Sequence, residues 1–252
     1  MFHWLKRHPI PMQAFFRHSV VLTYAFPRAL LEPLLPPGLT LDTYEDLGFV
    51  AIALVQTEGL RPTFVPRALG RDFFLAGYRI FARFEPANGR RRRGLRILRS
   101  DADSRLMVRV GNWLTHYAYR KADVALTEMP ASLEIRVRTP QAEADLHVIA
   151  DLASRPAPLP AGSPFPDLRE ARKFAGPLPF TFDYEKETHS LVLIEGVREH
   201  WEPQPVRVEV RENTFFQRPP FNAAAPVLAN AFHVGNIPYL WKRGVRVSLP
   251  RG

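Results

Sequence analysis

Short runs in which apolar and charged residues alternate restrict the fold of this chain more than any other feature. They occur at 133–138, 206–211 and 245–249, and the first reads Leu-Glu-Ile-Arg-Val-Arg. Successive side chains of a strand point to opposite faces of its sheet, so each run predicts a half-buried strand. Further strand-like segments bring the total to about eleven; they lie at 39–43, 48–58, 73–85, 94–100, 115–127, 144–151, 178–184 and 190–198.

So many strands predict a sheet that curls on itself and encloses a space for side chains or a small ligand. Three short helical segments are expected, at 27–32, 103–113 and 167–174. The fold class is therefore α+β and mainly β, with a closed or strongly curled sheet. A proline-rich loop at 155–166 has similar strands on both sides, so we interpret 1–252 as a single domain and the loop as a crossing or lid.

The central helical segment has the clearest helical pattern. Its residues Leu106, Val110 and Trp113 share one face, because they are spaced four and three positions apart. Asp101 and Asp103 precede the segment and are candidates to cap its first turn. The sequence therefore predicts that this helix begins close to the end of a strand.

Several classes of chemistry have no support in the sequence. There is no cysteine, which excludes disulfides and thiolate nucleophiles. The histidines lack metal-ligand spacing, and neither a Gly-x-Ser-x-Gly elbow nor a glycine-rich phosphate loop is present, so we expect no metal and no cofactor. Apolar runs are far shorter than the roughly 20 residues that span a bilayer. The amino-terminal segment lacks a signal-peptide core, so we expect no membrane association and a cytoplasmic location.

The chain is basic, with a formal net charge of +9, and 29 of its 34 basic residues are arginines. The densest cluster runs from Arg90 to Arg93, between two strand-like segments and just after Asn88 and Gly89, which predicts a hairpin turn. A solvated loop explains these charges best. The alternative is binding of nucleic acid or of an anionic surface through phosphate contacts, although no nucleic-acid-binding motif accompanies the cluster.

A polar face at 115–127 is the best candidate for chemistry. On an extended strand Tyr117, Tyr119, Lys121 and Asp123 share one side. If that side faces the cavity, burial lowers the pKa of Lys121, and the neutral amine can attack a carbonyl to form a Schiff base. If the side faces solvent, Lys121 is an ordinary surface lysine. The pattern alone leaves both interpretations open.

Three stretches, 29–42, 99–103 and 117–122, resemble the uncharacterised YqjF-like family of the acetoacetate decarboxylase-like superfamily. The first is the most specific, a helix followed by Leu-x-Pro-x-x-Leu and an acidic residue. The resemblance covers the first half of the chain and implies a cone-like antiparallel barrel with a central cavity. It also makes a homo-oligomer plausible.

In the decarboxylases an Ala-Tyr-Pro-Lys-Lys-like segment supplies the lysine that forms the Schiff base. Matching 118–122 to that segment puts Lys121 at the Schiff-base position. Ala122 then stands where the decarboxylases have the second lysine, which lowers the pKa of the first. Arg120 replaces the proline and carries positive charge, but on a regular strand it points away from Lys121.

Two functions follow from these observations, and whether the protein is an enzyme stays open. The first is a barrel that binds a small anionic or carbonyl-containing metabolite. The second is a Schiff-base lyase, a decarboxylase or aldolase-like enzyme acting on a small oxo acid. The candidate catalytic residues are Lys121, Tyr119 and Tyr117, and the candidate ligand-binding residues are Arg120, Arg79, His116, Glu58 and Glu128.

Overall fold

A computed structural model describes residues 3–86, 89–176 and 178–250. Fifteen strands and three α-helices make up its regular structure. The helices are α1 (Arg28–Leu31), α2 (Arg105–Leu114) and α3 (Leu168–Ala175). The strands are β1 (Met12–Pro27), β2 (Leu39–Leu41), β3 (Leu47–Pro62), β4 (Arg71–Phe84), β5 (Arg92–Ala102), β6 (Tyr119–Lys121), β7 (Asp123–Met129), β8 (Ser132–Arg138), β9 (Leu146–Asp151), β10 (Phe180–Glu185), β11 (Ser190–Arg198), β12 (Gln204–Pro205), β13 (Arg207–Asn213), β14 (Val227–Trp241) and β15 (Val245–Ser248).

The larger of two sheets has eleven strands, and seven of them close into a ring. The ring runs β14-β1-β3-β4-β5-β10-β11 and returns to β14 through the pairing of Gly196 with Trp241. Most pairs are antiparallel, as expected, but β5 runs parallel to both β10 and β6. The predicted mainly β, curled sheet is confirmed, and its closure creates the space in which the candidate site lies.

The two long strands that the sequence pattern did not predict, β1 and β14, lie side by side in this ring. The two-residue strand β12 was not predicted either. Strands β1 and β14 are 16 and 15 residues long. Both are largely buried on their two faces, so neither shows the apolar–polar alternation of a half-buried strand. Their pairing supplies one whole wall of the ring.

The second sheet has four antiparallel strands in the order β13-β9-β8-β7. Its apolar face packs against the outside of β1, β3 and β4 in one shared core, to which both sheets contribute fully buried side chains. Ile135 and Val148 of the small sheet meet Leu22, Ile52 and Ile80 of the large sheet in this core. Strands β1, β3 and β4 are therefore covered on their outer face by a sheet and face the ring's interior on the other.

The predicted helices are present, but most of the predicted apolar face of α2 lies on the outside. Leu106 and Trp113 are exposed, and Val110 is partly exposed at the border of the cavity. The helix is capped by Ser104, whose hydroxyl accepts a hydrogen bond from the Met107 amide at 3.3 Å. Asp103, one of the expected caps, instead accepts a hydrogen bond from the backbone of Phe74 at 2.8 Å. None of the described helices is long and apolar enough to cross a membrane.

Candidate ligand-binding cavity

A cavity of about 170 Å³ lies inside the ring, between the strands and α2. Its walls are mainly apolar and aromatic, and among the described residues no aspartate, glutamate or lysine lines it. A cavity of roughly 150 Å³ admits a benzene ring, so this one suits a molecule of similar size. The polar and charged side chains that line it are His8, Ser19, Thr57, Arg79, Ser100, Thr115, Tyr117, Tyr119, Thr181, Arg198, Trp201 and Tyr239.

Arg79 reaches the cavity from the middle of β4. The register between β4 and β5 shifts next to it, because Tyr78 pairs with Arg99 whereas Arg79 pairs with Ile97. A β-bulge of this kind turns the neighbouring side chains relative to a regular ladder. Gly77 lies two residues earlier on the same face, and a Cβ there would come within 3.0 Å of the Arg79 Nη2 atom. The glycine thus leaves room for the guanidinium.

The charge of Arg79 is not balanced by a carboxylate. No acidic group of the described residues lies within ion-pair distance of it, and its buried Nε atom has no hydrogen-bond partner. Burial lowers the pKa of Arg79, and the nearby positive charge of Arg198 lowers it further. An arginine is protonated even so. The cavity is therefore lined by a cation that has no counterion among the described residues.

Tyr119 is fixed to α2 by two hydrogen bonds to one side chain. The Asn112 amide group donates to the Tyr119 carbonyl at 2.8 Å and accepts from its backbone N–H at 2.7 Å. The Tyr119 ring packs against Gly111, where a Cβ would come within 2.5 Å of the ring. Tyr117 lies 6.1 Å away between ring centroids. The turn from α2 into β6 thus brings two phenols to one wall of the cavity.

Both phenols remain protonated at neutral pH. Burial raises the pKa of Tyr117 well above its ordinary value and also raises the pKa of Tyr119. The Tyr117 hydroxyl is buried and has no hydrogen-bond partner within the described structure. A protonated phenol can donate a hydrogen bond to an anion. The two tyrosines therefore add hydrogen-bond donors to the same cavity that the positive charge of Arg79 borders.

Asp183 supports this wall from behind. Its carboxylate accepts hydrogen bonds from Arg96 Nη1 at 2.5 Å and from the His116 backbone N–H at 3.2 Å. Burial raises the pKa of Asp183, and the positive charge of Arg96 opposes that rise. His116 itself does not line the cavity, and its buried Nε2 atom has no partner in the described residues. The Asp183 contact holds the chain just before Tyr117.

Most cavity residues were not among the predicted site residues, and four of them come from segments far apart in the sequence: His8, Arg198, Trp201 and Tyr239. They come from the amino-terminal segment, the end of β11, the loop after it and β14. No local pattern connects these segments, because they meet only when the ring closes. Burial lowers the pKa of His8 to about 4, so its imidazole is neutral at pH 7.

Lys121 does not line the cavity, contrary to the expectation from strand alternation. Its ammonium donates to the Ala122 carbonyl and to Asp123 Oδ1, both at 2.6 Å, and its side chain is 36% exposed. Lys121 is the last residue of the three-residue strand β6, and the chain passes into β7 of the second sheet from Asp123. Arg120 is likewise outside, where it pairs with Glu143.

The two candidate carboxylates also lie away from the cavity. Glu128 on β7 accepts hydrogen bonds from Arg17 at 3.3 and 3.4 Å and lies 3.5 Å from His18. The negative charge of Glu58 on β3 acts to raise the pKa of both Arg17 and His18. Of the eight predicted site residues the cavity thus brings together three, Arg79, Tyr117 and Tyr119.

The arginine cluster makes contacts within the protein. Arg91 pairs with Glu85 at 2.6 Å, Arg93 pairs with the buried Asp42 at 2.6 Å, and Arg92 lies over the Phe180 ring at 5.3 Å. The strands on either side form the predicted antiparallel pair, β4 with β5. Part of the predicted turn, residues 87 and 88, lies outside the described residues. Three of the four arginines therefore have a structural role.

No described group of His, Asp or Glu side chains has a metal-binding arrangement. Residues 13–234 match the profile of DUF2071, described as an uncharacterized conserved protein. The chain belongs to DUF2071. A comparison with curated protein sequences finds no match for this DUF2071 member.

Solved structures share its fold. Acetoacetate decarboxylase from Legionella pneumophila subsp. pneumophila str. Philadelphia 1 superimposes with a TM-score of 0.66 at 13% identity, over 95% of this chain and 88% of that one. MppR, an enduracididine biosynthesis enzyme solved with the condensation product of pyruvate and imidazole 4-carboxaldehyde, gives 0.63 at 14% identity, over 95% and 90%. An acetoacetate decarboxylase-like enzyme from Sphingomonas wittichii RW1 gives 0.61 at 14%, over 97% and 94%. At these identities the likeness establishes that this DUF2071 protein has the acetoacetate decarboxylase-like fold.

Proposed function

We propose that this protein binds a small carboxylic acid with an apolar body inside the ring, without forming a covalent bond to it. One observation carries the proposal: Arg79 is an enclosed cation that no carboxylate of the described chain neutralises. Burying an unpaired charge is costly, and proteins retain such a group where a ligand completes it. Arg79 serves as the ion-pair partner of the carboxylate, and Tyr117 and Tyr119 serve as hydrogen-bond donors.

The apolar walls determine the chemistry of the rest of the ligand. Phenyl and indole rings from Phe16, Phe73, Phe81 and Trp241 border the cavity, so the body of the ligand is aliphatic or a single ring. A core shared by the two sheets supports treating 1–252 as one rigid domain around this site. Ligand pockets commonly combine such walls with a few polar groups that fix orientation.

The test is calorimetry with a panel of small carboxylic acids on wild type and Arg79→Gln. We expect at least one acid to bind wild type and to lose about tenfold or more in affinity in the variant, because a hydrogen bond to a charged group contributes roughly 1.5 to 3 kcal/mol. Arg71→Gln is the matched control, since Arg71 is an exposed arginine on the same strand. Equal binding by wild type and Arg79→Gln would refute the proposal.

A Schiff-base lyase is the second candidate, because related folds include acetoacetate decarboxylase and MppR. All five lysines lie in described parts of the chain, and none of them lines the cavity. Borohydride trapping with small oxo acids, followed by peptide mass spectrometry on wild type and Lys121→Ala, separates the two candidates. We expect no reduced adduct. An adduct on Lys121 that the variant lacks would favour the lyase instead.

A further inference from the structure

A second cation without a counterion among the described residues lies at Arg198. This residue ends β11 and lines the cavity. Its Nη2 atom donates to the Leu178 carbonyl at 2.7 Å, and its guanidinium lies 4.6 Å from the ring centroid of Trp201. No described aspartate or glutamate is within ion-pair distance of it. Its contacts are one backbone carbonyl and two aromatic rings, Trp201 and Tyr239, so its charge has no counterion in the described part of the chain.

Trp201 adds a further donor at the same place. It also lines the cavity, and its indole Nε1 atom is buried without a hydrogen-bond partner in the described structure. Indole N–H can only donate. Buried polar groups are almost always hydrogen-bonded, so an orphaned donor beside an uncompensated cation marks a position where an acceptor belongs.

Arg79 and Arg198 border the same cavity and repel each other. The positive charge of Arg198 lowers the pKa of Arg79. Tyr239 is near both, since its phenol acts electrostatically on Arg79 and its ring centroid is 5.5 Å from the Arg198 guanidinium. Without a ligand two like charges therefore border one cavity, on the half-buried Arg79 and Arg198. A monocarboxylate neutralises only one of them.

We propose that the physiological ligand is a short-chain dicarboxylate, with one carboxylate at Arg79 and the other at Arg198 and the Trp201 N–H. This proposal rests on the binding function proposed above and narrows its ligand class. The carbon chain between the carboxylates packs against the apolar walls. Two carboxylates against two guanidiniums leave the filled cavity neutral, which is the condition under which buried charges are tolerated.

The probes are glutarate and pentanoate, which have the same number of carbons and differ by one carboxylate. By calorimetry we expect wild type to bind glutarate about tenfold or more tightly than pentanoate, because glutarate forms a second charge-assisted contact. Arg198→Gln should remove this preference and change pentanoate affinity less than about twofold. Arg79→Gln should weaken both acids. Arg243→Gln, at an exposed arginine, is the control.

Trp201→Phe keeps an aromatic ring under Arg198 and removes only the N–H. It should lower the affinity for glutarate several-fold and leave the affinity for pentanoate unchanged. Its melting temperature shows whether it is folded, so it replaces Arg198→Gln as the test if that variant does not fold. The dicarboxylate proposal is overturned if the preference for glutarate survives both variants, or if wild type binds the two acids equally. Either result leaves the proposed carboxylate site at Arg79 intact. Failure of both acids to bind wild type overturns both proposals.

Discussion

Arg79 and Arg99 lie on neighbouring strands of one sheet, point to opposite faces and meet opposite surroundings. Arg99 faces the small sheet, where its Nε donates to Asp101 and its Nη1 donates to Glu143, both at 2.7 Å. Arg79 faces the cavity and has no such partner. The buried Arg99 is paired within the protein, whereas the half-buried Arg79 has no counterion among the described residues. Substitutions on the two faces should therefore have opposite effects on stability.

The largest effect is expected for Arg99→Met. The substitution leaves the fully buried Asp101 without its cation, and breaking a buried ion pair costs about 3 to 5 kcal/mol. Urea unfolding measures the loss. Arg136→Met, which removes a partly exposed pair with Glu134, should cost well under about 1 kcal/mol. A cost for Arg99→Met no larger than that of the control would remove the contrast between the two faces.

Acid should lower the free energy of unfolding through two histidines, one on each face of the large sheet. Burial lowers the pKa of His8, in the cavity, and of His233, on the packed side, from 6.5 to about 4. The folded state therefore binds these protons less readily than the unfolded state. Each neutral histidine therefore contributes to the free energy of unfolding. The contribution is complete above pH 6.5 and is lost as the pH drops towards 4, by up to about 3 kcal/mol per histidine.

Urea unfolding at pH 7.5 and pH 5 measures this dependence. His8→Gln and His233→Gln should each flatten the loss of stability towards acid. The exposed His200 provides the control, and His200→Asn should not change the slope. An unchanged slope in His233→Gln would mean that His233 is not held neutral by its burial among His18, Arg155 and the surrounding strands.

Arg79→Met should stabilise the protein by about 1 to 3 kcal/mol, because it removes a buried charge that has no partner. The same substitution should abolish binding of carboxylic acids. A gain in melting temperature together with loss of binding is typical of a residue kept for function at the expense of stability. A destabilised Arg79→Met would indicate that the guanidinium is already satisfied in the ligand-free protein.

Lys121→Ala is expected to have the smallest effect. Its ion pair with Asp123 is on the surface, where such pairs contribute about 0 to 1 kcal/mol. Carboxylate affinity should stay within about twofold of wild type, since Lys121 does not line the cavity. A large loss of binding in this variant would place Lys121 closer to the ligand than its present contacts indicate.

The sequence predicted the half-buried strands well, because one apolar face leaves a period of two, as in β8 and β13. It did not predict β1 and β14, whose two faces are both largely buried and carry no alternation. It found Arg79, Tyr117 and Tyr119, which lie on recognisable strand-like segments. It could not find Arg198 or Trp201, since they reach the cavity only through ring closure, a contact between segments distant in sequence.

The contact between Gly111 and Tyr119 links two positions that cannot vary independently. Any side chain at 111 would occupy the space of the Tyr119 ring, whereas a small residue at 119 would leave a gap beneath α2. Across homologous sequences the two positions should therefore covary, with glycine at 111 wherever 119 is aromatic. Where both change together, the shape of the cavity changes with them, and so should the acid that each homologue selects.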